Sequence, residues 1–476
     1  MNIKANFIGG TWVRAETSRA NINPSDTNDI VGHYADAGVA DVEAAAEAAR
    51  SAVGPWGQAP MGTRATLLQK IADHIDARRD ELAMLLSREE GKALRDATAE
   101  IVRSAEIFRF YAGEVYRMSG DRVNSVRKGV GVEVLHEPVG IVGLITPWNF
   151  PMVIPAWKIA PALAYGNAVL FKPSELVPAS AWALTEIIND AGAPAGLFNL
   201  LMGGGEIGQE IVDHVDAVSF TGSVPTGRKV AQQAAGRMIP AQCELGGKNP
   251  LIVAADADLD IAVDCAVQGS FYQTGQRCTA SSRLVVDQEI VKQFTDALVE
   301  RLKSLVVGTG TDPATDIGPV ADDRQFAKDL SYIALAEAEG ARRVFGGEQL
   351  NRLTPGYYLA PALFDNTSNS MRINREEVFG PVACIIPARG HDEAMQIAND
   401  TDFGLSAGIV TTSLKLAIDF KNRIQSGIAM VNLPTAGIDF HVPLSGMKAS
   451  SYGQPEMGSQ AMRFYTKART AYTFAG

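Results

Sequence analysis

Two residues of this chain are of the types that supply a nucleophile and a general base, and each lies in a short segment that contains glycine. Cys278 lies in Gly-Gln-Arg-Cys-Thr at 275–279, and Glu244 begins Glu-Leu-Gly-Gly-Lys-Asn-Pro at 244–250. A thiolate attacks a carbonyl carbon, and a carboxylate then activates the water that hydrolyses the thioester. Glycine lets the backbone pass close to a ligand, where a side chain would collide. The pair therefore predicts covalent acyl chemistry.

Cys278 differs from the other cysteines in its sequence surroundings. A buried cysteine is usually a small, inert apolar residue, and this interpretation suits Cys243, Cys265 and Cys384. Cys278 instead lies in a polar segment, which is a poor place for a core residue. The neighbouring Arg277 is expected to favour the thiolate, which is the nucleophilic form of cysteine. Cys278 is therefore predicted to be the nucleophile.

Glu244 and Asn149 each have a functional and a structural interpretation. Glu244 is either a general base or an ordinary acid, and the Gly246-Gly247 turn favours the base because it leaves room beside a reacting carbon. Asn149, in Thr-Pro-Trp-Asn-Phe-Pro at 146–151, is either a turn residue or an oxyanion-hole donor that acts with a backbone N–H near Cys278. Its position after a predicted strand favours the donor, since α/β sheets bind ligands there.

Segments that follow predicted strands are suited to holding a dinucleotide. The segment Phe-Thr-Gly-Ser-Val-Pro-Thr-Gly at 220–227 opens a predicted helix, whose N-terminus suits a pyrophosphate, although the usual Gly-x-Gly-x-x-Gly fingerprint is absent. In Lys-Pro-Ser-Glu at 172–175, Lys172 and Glu175 are suited to bonding ribose hydroxyls. A carboxylate there repels a 2′-phosphate, which favours NAD over NADP. The segment Glu-Val-Phe-Gly-Pro at 377–381 alone is typical of a turn.

Composition and charge argue against several classes of protein. The 476 residues are 46% hydrophobic and 20% charged, as in a globular protein of two or three domains. The net charge of −11 argues against nucleic acid and anionic membranes as partners. The four cysteines form no Cys-x-x-Cys pair, so neither a zinc site nor a disulfide framework is expected, and a cytoplasmic setting is favoured. No signal peptide is expected, because the first residues lack its apolar core.

Periodicity predicts an α/β protein. Helices are predicted near 41–53 and across 63–88, and residues 121–137 alternate as a β-hairpin. Further along, short apolar strands alternate with helices in two successive series, which predicts two α/β domains with parallel sheets. The uncharged stretch 138–157 has transmembrane length, but its four prolines predict a buried strand, a loop and a helix start instead.

Taken together, these segments resemble the motifs of the aldehyde dehydrogenase superfamily in order and spacing, over nearly the whole chain. The resemblance implies an α/β fold with a Rossmann-like cofactor domain, an α/β catalytic domain and a small β oligomerisation flap. The implied cofactor domain comprises residues 1–118 and 138–245, the catalytic domain 246–445, and the flap 119–137 and 458–476. Exchange of the flap between subunits implies a homodimer or a homotetramer.

The resemblance also implies a role for each motif residue. It makes Cys278 the nucleophile, Glu244 the base and Asn149 the oxyanion donor, with Lys158 and Glu456 as weaker candidates for a proton relay. NAD is the implied cofactor and NADP the less favoured one. The implied dinucleotide-binding residues are Ile145, Trp148, Lys172, Ser174, Glu175, Thr221, Gly222, Ser223, Gly227, Leu245, Glu377 and Phe379.

The segments at 276–283 and 432–443 resemble one branch of the superfamily, which oxidises α-ketoglutaric semialdehyde (2,5-dioxopentanoate). This substrate is a short aldehyde with a distal carboxylate, for which Arg277 or His441 is the implied partner, although both also have a structural interpretation. The other implied pocket residues are Phe150, Val153, Trp157 and Thr279. Two alternatives stay open: a succinate-semialdehyde or broad aliphatic aldehyde dehydrogenase, and a non-catalytic protein that kept the fold.

Overall fold

The computed structural model describes residues 3–476 of the chain. Its strands are β1 (Ile3–Lys4), β2 (Asn6–Ile8), β3 (Thr11–Val13), β4 (Ser18–Ile22), β5 (Ile30–Ala35), β6 (Asp121–Asn124), β7 (Val130–Pro138), β8 (Ile141–Ile145), β9 (Ala168–Lys172), β10 (Phe198–Leu200), β11 (Ala217–Thr221), β12 (Ala241–Glu244), β13 (Asn249–Val253), β14 (Ser281–Asp287), β15 (Arg342–Phe345), β16 (Ala362–Asp365), β17 (Val382–Ala388), β18 (Phe403–Gly404), β19 (Ser406–Val410), β20 (Ile428–Val431), β21 (Met447–Lys448), β22 (Ser451–Tyr452) and β23 (Thr466–Phe474).

The α-helices alternate with these strands over most of the chain, as the sequence predicts. They are α1 (Val39–Gly57), α2 (Met61–Ala77), α3 (Arg79–Glu90), α4 (Leu94–Glu114), α5 (Val153–Ala164), α6 (Pro178–Asp190), α7 (Gly205–His214), α8 (Val224–Gly236), α9 (Leu259–Ser270), α10 (Val291–Lys303), α11 (Asp323–Ala338), α12 (Arg372–Arg375), α13 (Gly390–Asn399), α14 (Leu414–Arg423) and α15 (Met462–Tyr465).

Two large sheets form the centre of the fold. The first has the order β22-β12-β11-β8-β9-β10-β2-β3, with its five central strands parallel and its edge strands antiparallel. The second has the order β15-β16-β17-β14-β13-β19-β20 and is parallel except at β15. Every residue of β8, β9, β11 and β13 is buried, as expected for parallel strands whose two faces are covered. The α/β prediction is confirmed.

Four neighbouring parallel strands place predicted site residues at one edge of the first sheet. In spatial order, β12 ends at Glu244, β11 at Thr221, β8 at Ile145 and β9 at Lys172. The carboxyl ends of parallel strands share one edge, and ligands of α/β proteins bind beyond it. Residues far apart in sequence are brought together there by the sheet.

A third, smaller sheet has the order β23-β7-β6. The predicted hairpin forms β6 and β7, and the C-terminal strand pairs with β7 along its whole length, from Thr466 opposite Pro138 to Phe474 opposite Val130. Apolar side chains on and beside this sheet stay exposed, notably Val126, Tyr472 and Phe474. The hairpin and the C-terminal strand thus form one sheet.

Two details refine the sequence predictions. The stretch 138–157 forms the end of β7, strand β8, a loop and the start of α5, as predicted, and among residues 3–476 no helix is long and apolar enough to cross a membrane. The helix predicted across 63–88 is instead two helices that meet at Arg78, whose backbone leaves the helical region. Both helices pack against α4, so the apolar spacing continues across the break and periodicity alone does not show it.

Candidate active site

The segment before Cys278 has an unusual backbone. Gln273, Thr274 and Gly275 have φ values of 54°, 58° and 64°, in the left-handed region that favours glycine. A β-branched residue such as Thr274 adopts this conformation only when its surroundings hold it there, and its hydroxyl donates a 3.1 Å hydrogen bond to the carbonyl of Gly318. This turn carries the chain from α9 to the loop that presents Cys278.

The glycine-containing segment after Glu244 runs beside the Cys278 loop. Asn249 Nδ2 donates 2.8 Å hydrogen bonds to the carbonyls of Cys278 and Ala280. A Cβ atom on Gly247 would lie 2.5 Å from the Cys278 carbonyl oxygen, so a side chain there would collide with the loop. The two predicted motifs are therefore packed against each other. Asn249 was not singled out from the sequence, although it lies within the quoted segment.

Asn149 reaches the same loop from the first sheet. It is buried, and its Nδ2 donates a 2.9 Å hydrogen bond to the carbonyl of Gln276. A side-chain amide has two N–H donors, so a second one stays for a ligand. This geometry fits the predicted oxyanion donor.

A buried ion pair fixes the loop that carries Asn149. Lys92 Nζ lies 2.6 Å from Glu100 Oε2 and donates a 2.6 Å hydrogen bond to the carbonyl of Asn149. Glu100 Oε1 accepts hydrogen bonds from the backbone N–H groups of Met152, at 2.8 Å, and Val153, at 3.1 Å. Sequence reasoning missed this pair. The available signal was the charged Glu100 on the face of α4 that packs inward, with Lys92 just before this helix.

Glu244 lies at the end of β12 and is buried. Burial and the nearby charge of Glu456 hold the pKa of Glu244 well above its usual range, while Ser451 and Lys158 act in the opposite direction. The Ser451 hydroxyl donates a 2.5 Å hydrogen bond to Glu244 Oε2. A carboxyl group with a raised pKa is a stronger proton acceptor once ionised, which suits a general base.

The two predicted relay residues lie together behind Glu244. Lys158 and Glu456 form a buried ion pair. The Ser219 hydroxyl lies 2.8 Å from Lys158 Nζ and 3.0 Å from Glu456 Oε1, so all three groups belong to one hydrogen-bonded cluster. The structure thus brings Lys158 and Glu456 close to each other, and both act on the charge of Glu244.

The expected effect of Arg277 on Cys278 is outweighed. Burial, together with the charges of Glu377 and Glu244, raises the pKa of the Cys278 thiol to about 12. The Arg277 guanidinium donates to the backbone carbonyls of Gln268 and Gly269. Arg277 therefore does not offset burial in this geometry, and deprotonation of Cys278 needs a proton acceptor.

A cleft of about 720 Å³ lies beyond the carboxyl ends of the first sheet. Ser223 caps the N-terminus of α8 at this cleft. Further residues missed by sequence reasoning also line it, among them Thr226 and Lys229. Most of the predicted dinucleotide residues line this cleft: Ile145, Trp148, Lys172, Ser174, Glu175, Thr221, Gly222 and Ser223.

Gly227 does not line the cleft and instead lies inside α8. A Cβ atom at this position would overlap the Leu245 side chain, so the glycine allows close packing between α8 and the segment after β12. Its place in the Gly-x-x-x-x-Gly spacing is thus a packing requirement.

A second cavity, of about 170 Å³, joins the cleft to Cys278. Glu377 Oε1 accepts a 2.9 Å hydrogen bond from the backbone N–H of Gly247. The rings of Trp148 and Phe379 meet edge to face, with their centroids 5.4 Å apart. The predicted residues that line this cavity are Trp148, Asn149, Thr221, Gly222, Ser223, Leu245, Cys278, Glu377 and Phe379.

A third cavity, of about 260 Å³, lies on the other side of Cys278, which lines both. His441 does not line this cavity and is exposed in the segment after β20, so the structure does not bring it to the site. Arg103 lines it and was missed. The predicted residues that it does bring together are Phe150, Val153, Trp157, Glu244, Leu245, Arg277, Cys278 and Thr279.

Comparisons with known proteins agree with this geometry. The model of the "Aldehyde dehydrogenase family" matches residues 12–471. An α-ketoglutaric semialdehyde dehydrogenase of Bacillus subtilis is 40% identical, over 99% of this chain and 98% of the relative. A 2,5-dioxopentanoate dehydrogenase of Saccharolobus solfataricus is 38% identical, over 98% of each chain.

Solved structures show the same fold. A crystal structure of betaine aldehyde dehydrogenase from Staphylococcus aureus in complex with NAD+ superposes with a TM-score of 0.97 at 34% identity, covering 99% of this chain and 95% of that chain. An NAD-dependent aldehyde dehydrogenase from Sinorhizobium meliloti gives the same TM-score and identity, covering 100% and 95%. The resemblance inferred from the sequence is confirmed, and the chain belongs to the aldehyde dehydrogenase family.

Proposed function

We propose that this aldehyde dehydrogenase oxidises α-ketoglutaric semialdehyde, or a similar short aldehyde with a distal carboxylate, to the acid with NAD as the cofactor. The observation that carries the proposal is the position of Cys278, which lines the cavity on the dinucleotide side and the cavity on the other side. A nucleophile at that junction can bind an aldehyde that enters from one side. The aldehyde carbon can then transfer its hydride to a dinucleotide on the other side.

The residues of the large cleft fit a dinucleotide. The hydroxyls of Thr146 and Thr221 are buried at this cleft without a hydrogen-bond partner among residues 3–476, as expected of groups that meet a polar ligand. Lys172, Glu175 and Glu377 would hold ribose hydroxyls, and the capped start of α8 would face the pyrophosphate. The chemistry that NAD supplies when bound is acceptance of a hydride.

The charge on Glu175 supports NAD over NADP. Burial is the largest single effect on Glu175 and opposes its ionisation, but attraction to Lys172, 3.4 Å away, together with hydrogen bonds and the charge of Arg19, outweighs burial and lowers the pKa of Glu175. The carboxylate is therefore charged at neutral pH. A charged carboxylate beside the ribose repels a 2′-phosphate, because like charges at short distance are unfavourable.

The catalytic steps follow from the geometry of this chain's own residues. Glu244 accepts the proton of the Cys278 thiol, and Sγ forms a bond to the aldehyde carbon. The free amide N–H of Asn149 and the backbone N–H of Cys278 bind the oxyanion. Loss of hydride from the carbon leaves a thioester on Cys278. Glu244 then takes a proton from water, whose oxygen attacks the thioester, and the C–S bond breaks to release the acid and the thiol.

Lys158 and Glu456 are proposed to carry protons away from Glu244. The support is their buried ion pair, its contact with the Ser219 hydroxyl, and the effect of both residues on the pKa of Glu244. Glu244 must lose its proton after each step, and a chain of hydrogen-bonded groups gives that proton a route through a buried region.

The substrate assignment rests on the named relatives and on polar groups in the third cavity. Trp157 Nε1 and Arg277 Nε are buried at this cavity and have no hydrogen-bond partner in the described part of the chain. An aliphatic aldehyde leaves such donors unpaired, which costs about 1–3 kcal/mol each, whereas an oxo-acid offers acceptors. This favours an oxygen-rich aldehyde over hexanal.

Three wider properties are also proposed. The chain divides into the cofactor domain, catalytic domain and flap given above. The support is that each part supplies one of the three sheets described, apart from the edge strand β22 of the first sheet. The exposed apolar residues at the flap, such as Tyr472 and Phe474, support a homodimer or homotetramer. The four free cysteines support a reduced, cytoplasmic setting.

The proposal is tested by comparing kcat/KM with NAD for α-ketoglutaric semialdehyde, succinate semialdehyde and hexanal, with Cys278→Ala in parallel. We expect the first substrate to be preferred and the variant to be inactive. Preference for succinate semialdehyde or hexanal overturns the substrate assignment. Cofactor binding without turnover of any aldehyde overturns the catalytic assignment.

A further inference from the structure

Helix α4 presents one face to the third cavity. Asp96, Ala99, Glu100 and Arg103 all line that cavity, at the spacing of three and four that puts residues on one side of a helix. Three of these four residues are ionisable, so the charges on this face decide which ligands the cavity accepts.

The two carboxyl groups on this face are already matched by positive charge. Glu100 forms the buried ion pair with Lys92. Asp96 lies 3.9 Å from Arg95. Burial is the dominant effect on Asp96 and raises its pKa, while the charges of Arg95 and Arg277 favour its ionised form. Glu100 is therefore not available as a partner for a further cation, whereas Asp96 Oδ2 is buried without a hydrogen-bond partner in the described part of the chain.

Arg277 is the other basic residue that lines the cavity among those described. Its guanidinium is already partly used in hydrogen bonds to the backbone. Its Nη2 donates to the carbonyls of Gln268 and Gly269. Because both two-donor edges of a guanidinium include Nη2, only single donors remain, among them the buried and unpaired Nε. One N–H suits one oxygen, such as a keto group. A carboxylate is bound best by two parallel N–H donors of one guanidinium.

Arg103 keeps such a pair of donors. Its side chain is 38% exposed, and its Nε lies 3.4 Å from Glu106 Oε2, whose side chain is 43% exposed. An exposed pair one helical turn apart is weak, so a ligand carboxylate can compete with it. The guanidinium carbon also lies 5.4 Å from the centre of the Phe440 ring, which restricts the positions of the arginine side chain.

We propose that Arg103 is a specificity-determining residue that binds the distal carboxylate of the substrate, an inference that rests on the proposed function. The aldehyde end meets Cys278 and the keto oxygen meets the single donors of Arg277 and Trp157. The acid end meets the fork of Arg103 on the wall formed by α4. Selection of acidic aldehydes then comes from a residue outside the glycine-containing motifs.

The experiment compares Arg103→Met and Arg103→Lys with wild type, on α-ketoglutaric semialdehyde and on pentanal, a neutral aldehyde of equal chain length. A charge-assisted pair is worth a factor of roughly 10 to 100 in binding. We expect Arg103→Met to lower kcat/KM for the semialdehyde by that factor, mainly through KM, and to change pentanal by less than about threefold. Arg103→Lys should fall between the two, because lysine keeps the charge without the fork.

Arg109→Met is the matched control, since Arg109 lies on the same helix and pairs with Asp73 and Asp76 outside the cavity. It should keep the preference of wild type. Equal losses on both aldehydes in Arg103→Met, or loss of the preference in Arg277→Met but not in Arg103→Met, overturn the inference.

A second measurement separates this inference from the proposed function. Glutarate, a dicarboxylate, should inhibit pentanal oxidation. Its inhibition constant should be lower for wild type than for Arg103→Met by about tenfold or more. A wild type that does not prefer the semialdehyde but shows this difference refutes the proposed substrate and keeps the carboxylate site. A wild type that prefers the semialdehyde, with no difference in either assay, keeps the substrate and refutes Arg103.

Discussion

Lys92 Nζ donates a 2.6 Å hydrogen bond to the backbone carbonyl of Asn149, so a residue between α3 and α4 holds the loop that carries the oxyanion donor. The same ammonium group pairs with Glu100 and lies 4.4 Å from the centre of the Phe150 ring. Because Phe150 follows Asn149 directly, the cation contacts this loop at two neighbouring residues. One buried cation therefore sets the path of the loop.

Lys92→Met should reduce kcat by about 100-fold, because a shift of about 1 Å in a catalytic group costs roughly that much. It should also lower the free energy of unfolding by about 3–5 kcal/mol, since Glu100 is left buried without its partner. Turnover measured well below the melting temperature separates the two effects. A variant that is destabilised but turns over at the wild-type rate would contradict the positioning role of Lys92.

The acid limb of the pH profile should belong to Glu244. Its pKa is raised by burial and by Glu456, and only the ionised form accepts a proton, so kcat/KM should rise with pH as Glu244 ionises. Ser451 favours the ionised form by its hydrogen bond. Ser451→Ala should therefore move the limb to higher pH, by about one unit. Ser445→Ala, in the same segment but bonded to Gly446, should leave it in place.

Glu244→Gln should slow hydrolysis of the thioester more than its formation, because the thiol is a stronger acid than water and can lose its proton to solvent, whereas the attacking water depends on the base. Rapid mixing should then show a burst of NADH followed by a steady rate reduced by about 100-fold or more. Cys278→Ala should show neither phase, and Cys265→Ala, which removes a buried thiol away from the cavities, should keep both. A linear time course in Glu244→Gln at the wild-type rate would rule out this role.

Glu175→Gln should narrow the preference for NAD over NADP. Removing the carboxylate removes its repulsion of a 2′-phosphate, so kcat/KM for NADP should increase on the order of tenfold. Glu175→Asp keeps the charge and should keep the preference. The ratio of kcat/KM values for the two cofactors is the measurement, and an unchanged ratio in Glu175→Gln would show that other groups set it.

The sequence predicted the site well where a reactive residue lies in a segment whose local structure can also be predicted. The strand-loop-helix pattern around Asn149 and the glycines beside Glu244 predicted the local structure that carries these two residues. Both residues were assigned to one site. Residues that act across the fold were missed, because Lys92, Arg103 and Ser451 reach the site from separate segments that only tertiary packing brings near. For the same reason His441, which lies in a segment that carries the resemblance, is found away from the cavity.

The order in which the chain is synthesised gives the Ser451–Glu244 contact a further consequence. Cys278 and Glu244 leave the ribosome long before β22 and Glu456, which supply the base with its hydrogen bond and its neighbouring charge. A nascent chain that has completed both of its reactive residues still lacks the groups that tune Glu244, the base that accepts the thiol proton. Full reactivity therefore appears only near the end of translation, which limits the time during which a partly folded thiol can react with cellular aldehydes.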